Sequence, residues 1–183
     1  EPLSVAQKRK YARLAETLEI TTGDRVLEIG CGWGGFAEFA ASACGCEIVC
    51  LTLSREQAEF ARRRMENAGI ADRVDIRLQD YRDVDGVFDK IVSIEMFEAV
   101  GIGNWPVYFD AIRDRLIPGG KAAIQTITID DERFDAYRRN PDFIQHYIFP
   151  GGVLPSPAKF VGNAAQQGLT ITEEFFFGQS YAE

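Results

Sequence analysis

The sequence holds one histidine in 183 residues, four cysteines confined to one stretch, and no apolar run approaching the roughly 20 residues of a bilayer-spanning helix. A membrane-spanning helix is therefore not expected in this chain. No basic-then-apolar leader opens the chain, so a cytoplasmic setting is expected, and the cysteines are expected as thiols. Cys44, Cys46 and Cys50 lack both the usual two-residue gaps and a tetrahedral partner set, so no metal is expected. Positive charge is also scarce: 20 Lys and Arg against 28 Asp and Glu leave a net charge of −8. That balance argues against nucleic acid as the main partner and against tight global attraction to an anionic membrane. It leaves room for transient contact with a membrane surface. The short basic runs Lys8-Arg9-Lys10 and Arg62-Arg63-Arg64 read as solvated helix faces.

What is present suits one α/β domain spanning residues 1–183: 46% apolar and 26% charged residues, with 17 glycines to make turns. Val5, Tyr11, Leu14, Ala15 and Leu18 recur at helical spacing, predicting a helix over 4–18. Arg25–Ile29 is a short apolar strand ending at glycine, followed by a helix over 35–42. Glu47–Leu53 is the next strand, and Ser54 with Gln57 forms a capping box that starts a helix to about residue 68. Val74–Leu78, Phe88–Ile94 and Lys121–Thr128 read as strands, with a helix over 105–116 stopped by Pro118-Gly119-Gly120. Residues 130–155 show no long period and read as an insertion over the sheet; a helix from Ser156 to Gln167 and a last strand, Leu169–Phe177, close the chain. Strand–helix alternation implies a mostly parallel, Rossmann-like sheet with helices on both faces.

The strongest local signal is Glu28-Ile29-Gly30-Cys31-Gly32-Trp33-Gly34. A buried strand delivers the chain to a turn stripped of side chains, where a ligand can approach the backbone and the following helix offers free amides. Gly30, Gly32 and Gly35 satisfy a dinucleotide fingerprint, which is weak by itself. A nicotinamide site expects an acid ending the second strand, but that strand ends Leu51-Thr52-Leu53-Ser54. The acid instead precedes the glycines, at Glu28, and this favours S-adenosylmethionine (SAM) over NAD. After the third strand, Tyr81 is placed to stack on an adenine and Asp80 to accept from its amino group; a turn aspartate is the plain alternative.

The sequence resembles the cyclopropane-fatty-acid synthase family, which includes the mycolic acid cyclopropane synthases. The likeness is carried by VLEIGCGWGG, LTLSREQ, QDYRDV, FDKIVSIEMFEAVG, IPGG, YIFPGGVLPS and SYAE, in that order along nearly the whole chain. It implies a class I SAM-dependent methyltransferase fold and methyl transfer to the cis double bond of an unsaturated acyl chain, often on a phospholipid. It places the cofactor on Gly30, Gly32 and Gly34, with Thr52, Leu53, Ser54 and Gln57 on the ribose side and Tyr81 and Arg82 near the adenine. It also implies a bound bicarbonate as base, held by Glu98, by Tyr181 and by the backbone amide of Ile127. Gln125 stands at the family's histidine position; it can hydrogen-bond an anion but cannot shuttle a proton. The resemblance further implies a fragment truncated at both ends, without the N-terminal cover, its cysteine and a final strand.

The chemistry makes sense of these residues. An alkene has no proton to lose before attack, so positioning against the sulfonium methyl supplies much of the acceleration. The resulting carbocation must be shielded from water and then deprotonated. Aromatic faces stabilise such a cation, and Phe97, Tyr147, Phe149 and Tyr181 are candidates, although each is more often a core residue. Glu95 shares a helical face with Glu98 and borders the cofactor, or is a solvated carboxylate. His146, in the YIFPGG segment, reads as structural. The expected product is a cyclopropane ring; proton loss elsewhere would give a methylene or methyl-branched chain. A small soluble acceptor and a non-catalytic cofactor-binding module are the other readings.

Overall fold

A computed structural model describes residues 2–140, 143, 147 and 151–178. Its elements follow the hydrophobic pattern closely: α1 (Leu3–Leu18), β1 (Arg25–Ile29), α2 (Gly35–Phe39), β2 (Glu47–Thr52), α3 (Arg55–Asn67), β3 (Val74–Leu78), β4 (Phe88–Ile94), α4 (Trp105–Arg115), β5 (Leu116–Gln125), α5 (Asp131–Arg139) and α6 (Pro157–Gln166). A π-helical turn over Ala40–Cys44 extends α2. Ser54 caps α3 by accepting from the Gln57 amide, and Ser156 caps α6 in the same way with Lys159.

All pairings in the five-stranded sheet of the described residues are parallel, in the order β3-β2-β1-β4-β5. The register sets Glu28 beside Cys50 and Val92. Because side chains alternate along a strand, β1 feeds two cores. Val26 points into a cluster with Ile48, Cys50, Phe36, Ala61 and Met65 under α1, α2 and α3. Leu27 and Ile29 join Leu51, Ile91, Phe97, Tyr108 and Phe109 on the α4 side. Burying both faces is what makes the strands near-continuous apolar runs.

Three expectations are corrected. Pro118-Gly119-Gly120 does not simply end a helix. It loops out within β5, whose pairing advances from Leu116 to Lys121 while β4 advances only from Phe88 to Lys90. Gly120 is tightly enclosed there, since a Cβ would lie 2.9 Å from the Asp89 carbonyl oxygen. Residues 131–139, read as irregular, form α5; acids in its first turn and Arg138 and Arg139 in its last favour the helix dipole, but only Phe134 is buried, so no period shows. Residues 169–177 form no strand: Leu169 and Ile171 pack on the core, but no strand among the described residues pairs with them. Alternation specifies which side chains face inward; it cannot supply a hydrogen-bonding partner.

Candidate active site

The sheet order places the carboxyl ends of β2, β1, β4 and β5 side by side, and the chain reverses its winding between β1 and β4. Ligands of open α/β sheets bind in the crevice outside such a switch point. At the end of β1 the chain turns sharply: Gly30 and Cys31 both donate their amides to the Leu51 carbonyl, and Gly34 donates to Cys31. Gly30, Gly32 and Gly34 all have positive φ, a region L side chains rarely adopt. Their surroundings differ. A Cβ on Gly30 would meet Met96 Cγ at 2.7 Å, and one on Gly34 would meet Met65 Cε at 2.9 Å and Ala61 Cβ at 3.1 Å. Around Gly32 there is nothing within 4 Å. Two glycines are thus required by packing, while the middle one opens onto the crevice. A side-chain-free cradle of this kind fits a cofactor.

The remaining predicted cofactor residues line the same edge. Thr52 is buried and donates to Gln57 Oε1 at 2.7 Å, while the Ser54 amide donates to Thr52 Oγ1 at 3.2 Å. This network fixes the β2–α3 turn and leaves Leu53 exposed beside it. Asp80 accepts from the Arg82 amide and guanidinium, and the guanidinium holds its carboxyl below the ordinary carboxylate range. Tyr81 stands with its ring edge against buried Tyr108, the centroids 5.6 Å apart. Trp33 is half exposed, packs edge-on against Phe60 and extends the turn's apolar rim.

Glu28 takes a different position. It is 2% exposed and accepts from the Cys50 thiol at 3.5 Å, beneath the turn and not on its open side. Burial pushes its carboxyl well above the usual range and pushes the Cys50 thiol up as well.

At the ends of β4 and β5 the structure brings together Glu95, Glu98, Gln125 and Ile127. The Ile127 amide donates to Glu98 Oε1 at 2.5 Å, and Glu98 Oε2 is buried without a hydrogen-bond partner among the described residues. Gln125, buried, donates through Nε2 to Glu95 Oε1 at 2.6 Å, and the Glu95 amide donates to the Gln125 carbonyl at 2.8 Å. A cavity of about 370 Å³ adjoins this group, walled by Thr126–Thr128, Phe160, Val161 and Phe175–Phe177. Of the proposed cation-facing aromatics, Phe97 lies fully inside the core, stacked on Trp105 at 5.2 Å and touching Tyr108, Phe109 and Phe160. Tyr147 is exposed against Phe143. Tyr181, Phe149 and His146 lie outside the described residues. Among the described residues no cluster of metal-ligating side chains occurs, and the four cysteines are free thiols.

The sequence reading missed the contribution of α1. Lys10, read as part of a solvated basic run, reaches Glu95 Oε1 at 3.6 Å, and Tyr11 packs on Phe36 and Phe39 just beyond the glycine turn. The available signal was the spacing of Gln7, Lys10 and Tyr11 on one helical face.

This edge, with its open glycine and its carboxylate beside an apolar cavity, coincides with a known family. The mycolic acid cyclopropane synthetase family model matches residues 1–183. The chain belongs to that family. It is 46% identical over 182 residues to the tuberculostearic acid methyltransferase of Mycobacterium tuberculosis, covering 99% of this chain and 42% of that protein. It is 38% identical over 180 residues to the cyclopropane-fatty-acyl-phospholipid synthase of Escherichia coli, covering 98% of this chain and 44% of that protein. The chain therefore spans less than half the length of these relatives. Its backbone matches the crystal structure of a mycolic acid cyclopropane synthase complexed with SAH and CTAB with a TM-score of 0.85, at 28% identity and covering 94% of this chain and 64% of that one. The fold is thus the Rossmann-like class I fold of SAM-dependent methyltransferases. No helix among the described residues is long and apolar enough to cross a membrane.

Proposed function

We propose that the protein carrying this chain transfers a methyl group from SAM to the cis double bond of an unsaturated phospholipid acyl chain, at the membrane surface, and closes a cyclopropane ring. The observation that carries this reading is Glu98: a carboxylate with one oxygen tied to the Ile127 amide and the other buried and unpartnered among the described residues, while Ile127 itself lines an apolar cavity at the same sheet edge. Bound SAM would supply an electrophilic methyl on its sulfonium. The chain's part is to hold the nucleoside along Gly30–Gly34, Thr52–Gln57 and Asp80–Arg82, and to keep water from the acyl chain with the apolar wall of Ile127, Phe160 and Phe175–Phe177. The cavity volume falls within the roughly 300–1,000 Å³ typical of small-molecule pockets.

The unpartnered Glu98 oxygen suits a protic anion such as bicarbonate, which would donate its hydroxyl there and supply a base for the departing proton. Glu98 and Tyr181 would hold it, and the Ile127 amide, which donates to Glu98 Oε1, would turn to the anion. Gln125 favours a second reading of the final step. Its amide is committed to Glu95 and has no titratable proton, so proton removal need not occur where ring closure requires. Loss of a different proton gives a methylene chain, and relatives named as fatty acid methyltransferases are consistent with that outcome.

Lipid mass spectrometry of cells expressing the whole protein tests both readings. Acyl chains heavier by one CH₂ and inert to ozone support the ring. The same mass with an ozone-reactive double bond supports the methylene product. Unchanged lipids alongside a methylated soluble acceptor would refute acyl transfer.

A further inference from the structure

Methyl transfer leaves one buried group beneath the glycine turn without a role: Glu28, Cys31 and Cys50. The parallel register sets Glu28 beside Cys50. The Cys31 amide donates to the Leu51 carbonyl at 2.9 Å, which folds the turn back over β2. The Cys50 thiol therefore sits between two acceptors, Glu28 Oε2 at 3.5 Å and the Cys31 sulfur, with which it also hydrogen-bonds. Cys31 Sγ in turn donates at 3.9 Å to the carbonyl of Gly32, the glycine that opens onto the crevice. A chain of contacts thus runs from a carboxyl through two thiols to the cofactor cradle.

The two thiols are unequal. Hydrogen bonding from Cys50 holds Cys31 below the usual thiol range, while burial pushes Cys50 up. Oxidants attack a thiol of the first kind, and a second thiol in contact with it completes a disulfide. The remaining cysteines lack this arrangement: burial pushes Cys44 up and Cys46 up to about 12, which leaves them unreactive.

We propose that Cys31 and Cys50 form a disulfide on exposure to a peroxide, and that this bond weakens binding at the glycine turn. The Cys31 thiolate attacks one peroxide oxygen, the O–O bond breaks and hydroxide leaves, giving a sulfenic acid. The Cys50 sulfur then attacks the Cys31 sulfur. The S–O bond breaks, and the hydroxyl departs as water with the Cys50 proton. The earlier hydroxide takes up the proton that Cys31 released, so two thiols and one peroxide give one disulfide and two waters. Disulfide sulfurs lie about 2.05 Å apart, well inside a thiol–thiol hydrogen bond. Cys31 is drawn toward β2, and its hydrogen bond to the Gly32 carbonyl is lost. Gly30 and Gly32, flanking it at positive φ, move with it. The effect on the cofactor rests on the SAM reading, and it is reciprocal: bound cofactor opposes the bond by the same factor.

Peptide mapping of the full-length protein by mass spectrometry, after treatment with hydrogen peroxide, tests the bond. A Cys31–Cys50 cross-link is expected, reversed by dithiothreitol and slowed by saturating S-adenosylhomocysteine. Calorimetry should show S-adenosylhomocysteine bound about fivefold or more weakly by the oxidised protein, with affinity restored on reduction. Cys50→Ser keeps a hydroxyl to donate to Glu28 but has no second sulfur. When reduced it should bind the ligand as the wild-type protein does, and after peroxide it should form no cross-link and keep more of its affinity. An equal loss in that variant would trace the effect to other thiols and overturn the proposal. So would peroxide that oxidises other cysteines while leaving Cys31 and Cys50 unlinked, or a cross-link that leaves affinity unchanged. Failure of the reduced wild-type protein to bind the ligand, with the cross-link still forming, would overturn the SAM reading and leave the disulfide standing.

Discussion

Gly32 and Gly34 stand two residues apart in one turn, both with positive φ, yet alanine should affect them in different ways. At Gly32 a methyl group has nothing within 4 Å, so the cost of Gly32→Ala to the fold is the backbone term alone. For a φ of +53° that term is about 1–2 kcal/mol. In a chain of this size it lowers Tm by roughly 2–8 °C. At Gly34 the same term applies, and the methyl group also lies 2.9 Å from Met65 Cε and 3.1 Å from Ala61 Cβ. Met65 can swing its end aside, but Ala61 moves only with α3. Overpacking adds about 1–3 kcal/mol, so Gly34→Ala should lose roughly 2–5 kcal/mol. Ligand affinity should run the other way. The Gly32 methyl group projects into the crevice, and a clash of similar size against bound cofactor weakens affinity roughly 5- to 150-fold. Thermal unfolding of both variants, with calorimetry of S-adenosylhomocysteine on Gly32→Ala, checks the pair. Unchanged affinity in Gly32→Ala, or destabilisation matching that of Gly34→Ala, would refute the assignment of Gly32 as the ligand-facing glycine.

Glu28→Gln should stabilise the protein increasingly as pH rises. Burial raises the native carboxyl above the value it has in the unfolded chain, so that contribution is complete below about pH 4 and is lost as pH rises toward the native value. Glutamine can still accept from Cys50 but carries no such penalty; a Tm gain that is the same at pH 5 and pH 7 would contradict the buried neutral acid. Glu98→Gln in the whole protein should leave cofactor affinity within about twofold and lower turnover by about 100-fold or more, the scale of a lost general acid–base partner. An equal fall in cofactor affinity, measured by calorimetry, would move Glu98 from the reaction to the binding site.

The sequence by itself determined the alternation of strands and helices, the capping of α3 and the glycine turn after β1, because each follows from local spacing: apolar runs for buried strands, a serine oxygen for orphan amides, glycine for positive φ. It also singled out Glu98, Gln125 and Ile127, and the fold brings these together. It could not show that Glu28 turns inward to a thiol. That depends on which strand lies beside β1 and in what register. Nor could it show that residues 169–177 lack a strand partner, or that α5 hides a helix behind a single buried phenylalanine. Lys10 is the sharpest case. In sequence it is the last of three basic residues and looks solvated. Only the packing of α1 across the ends of β4 and β5 gives it a carboxylate 85 positions away. Local chemistry fixes which conformations a segment prefers; which charges meet is decided by the long-range contacts that bury them.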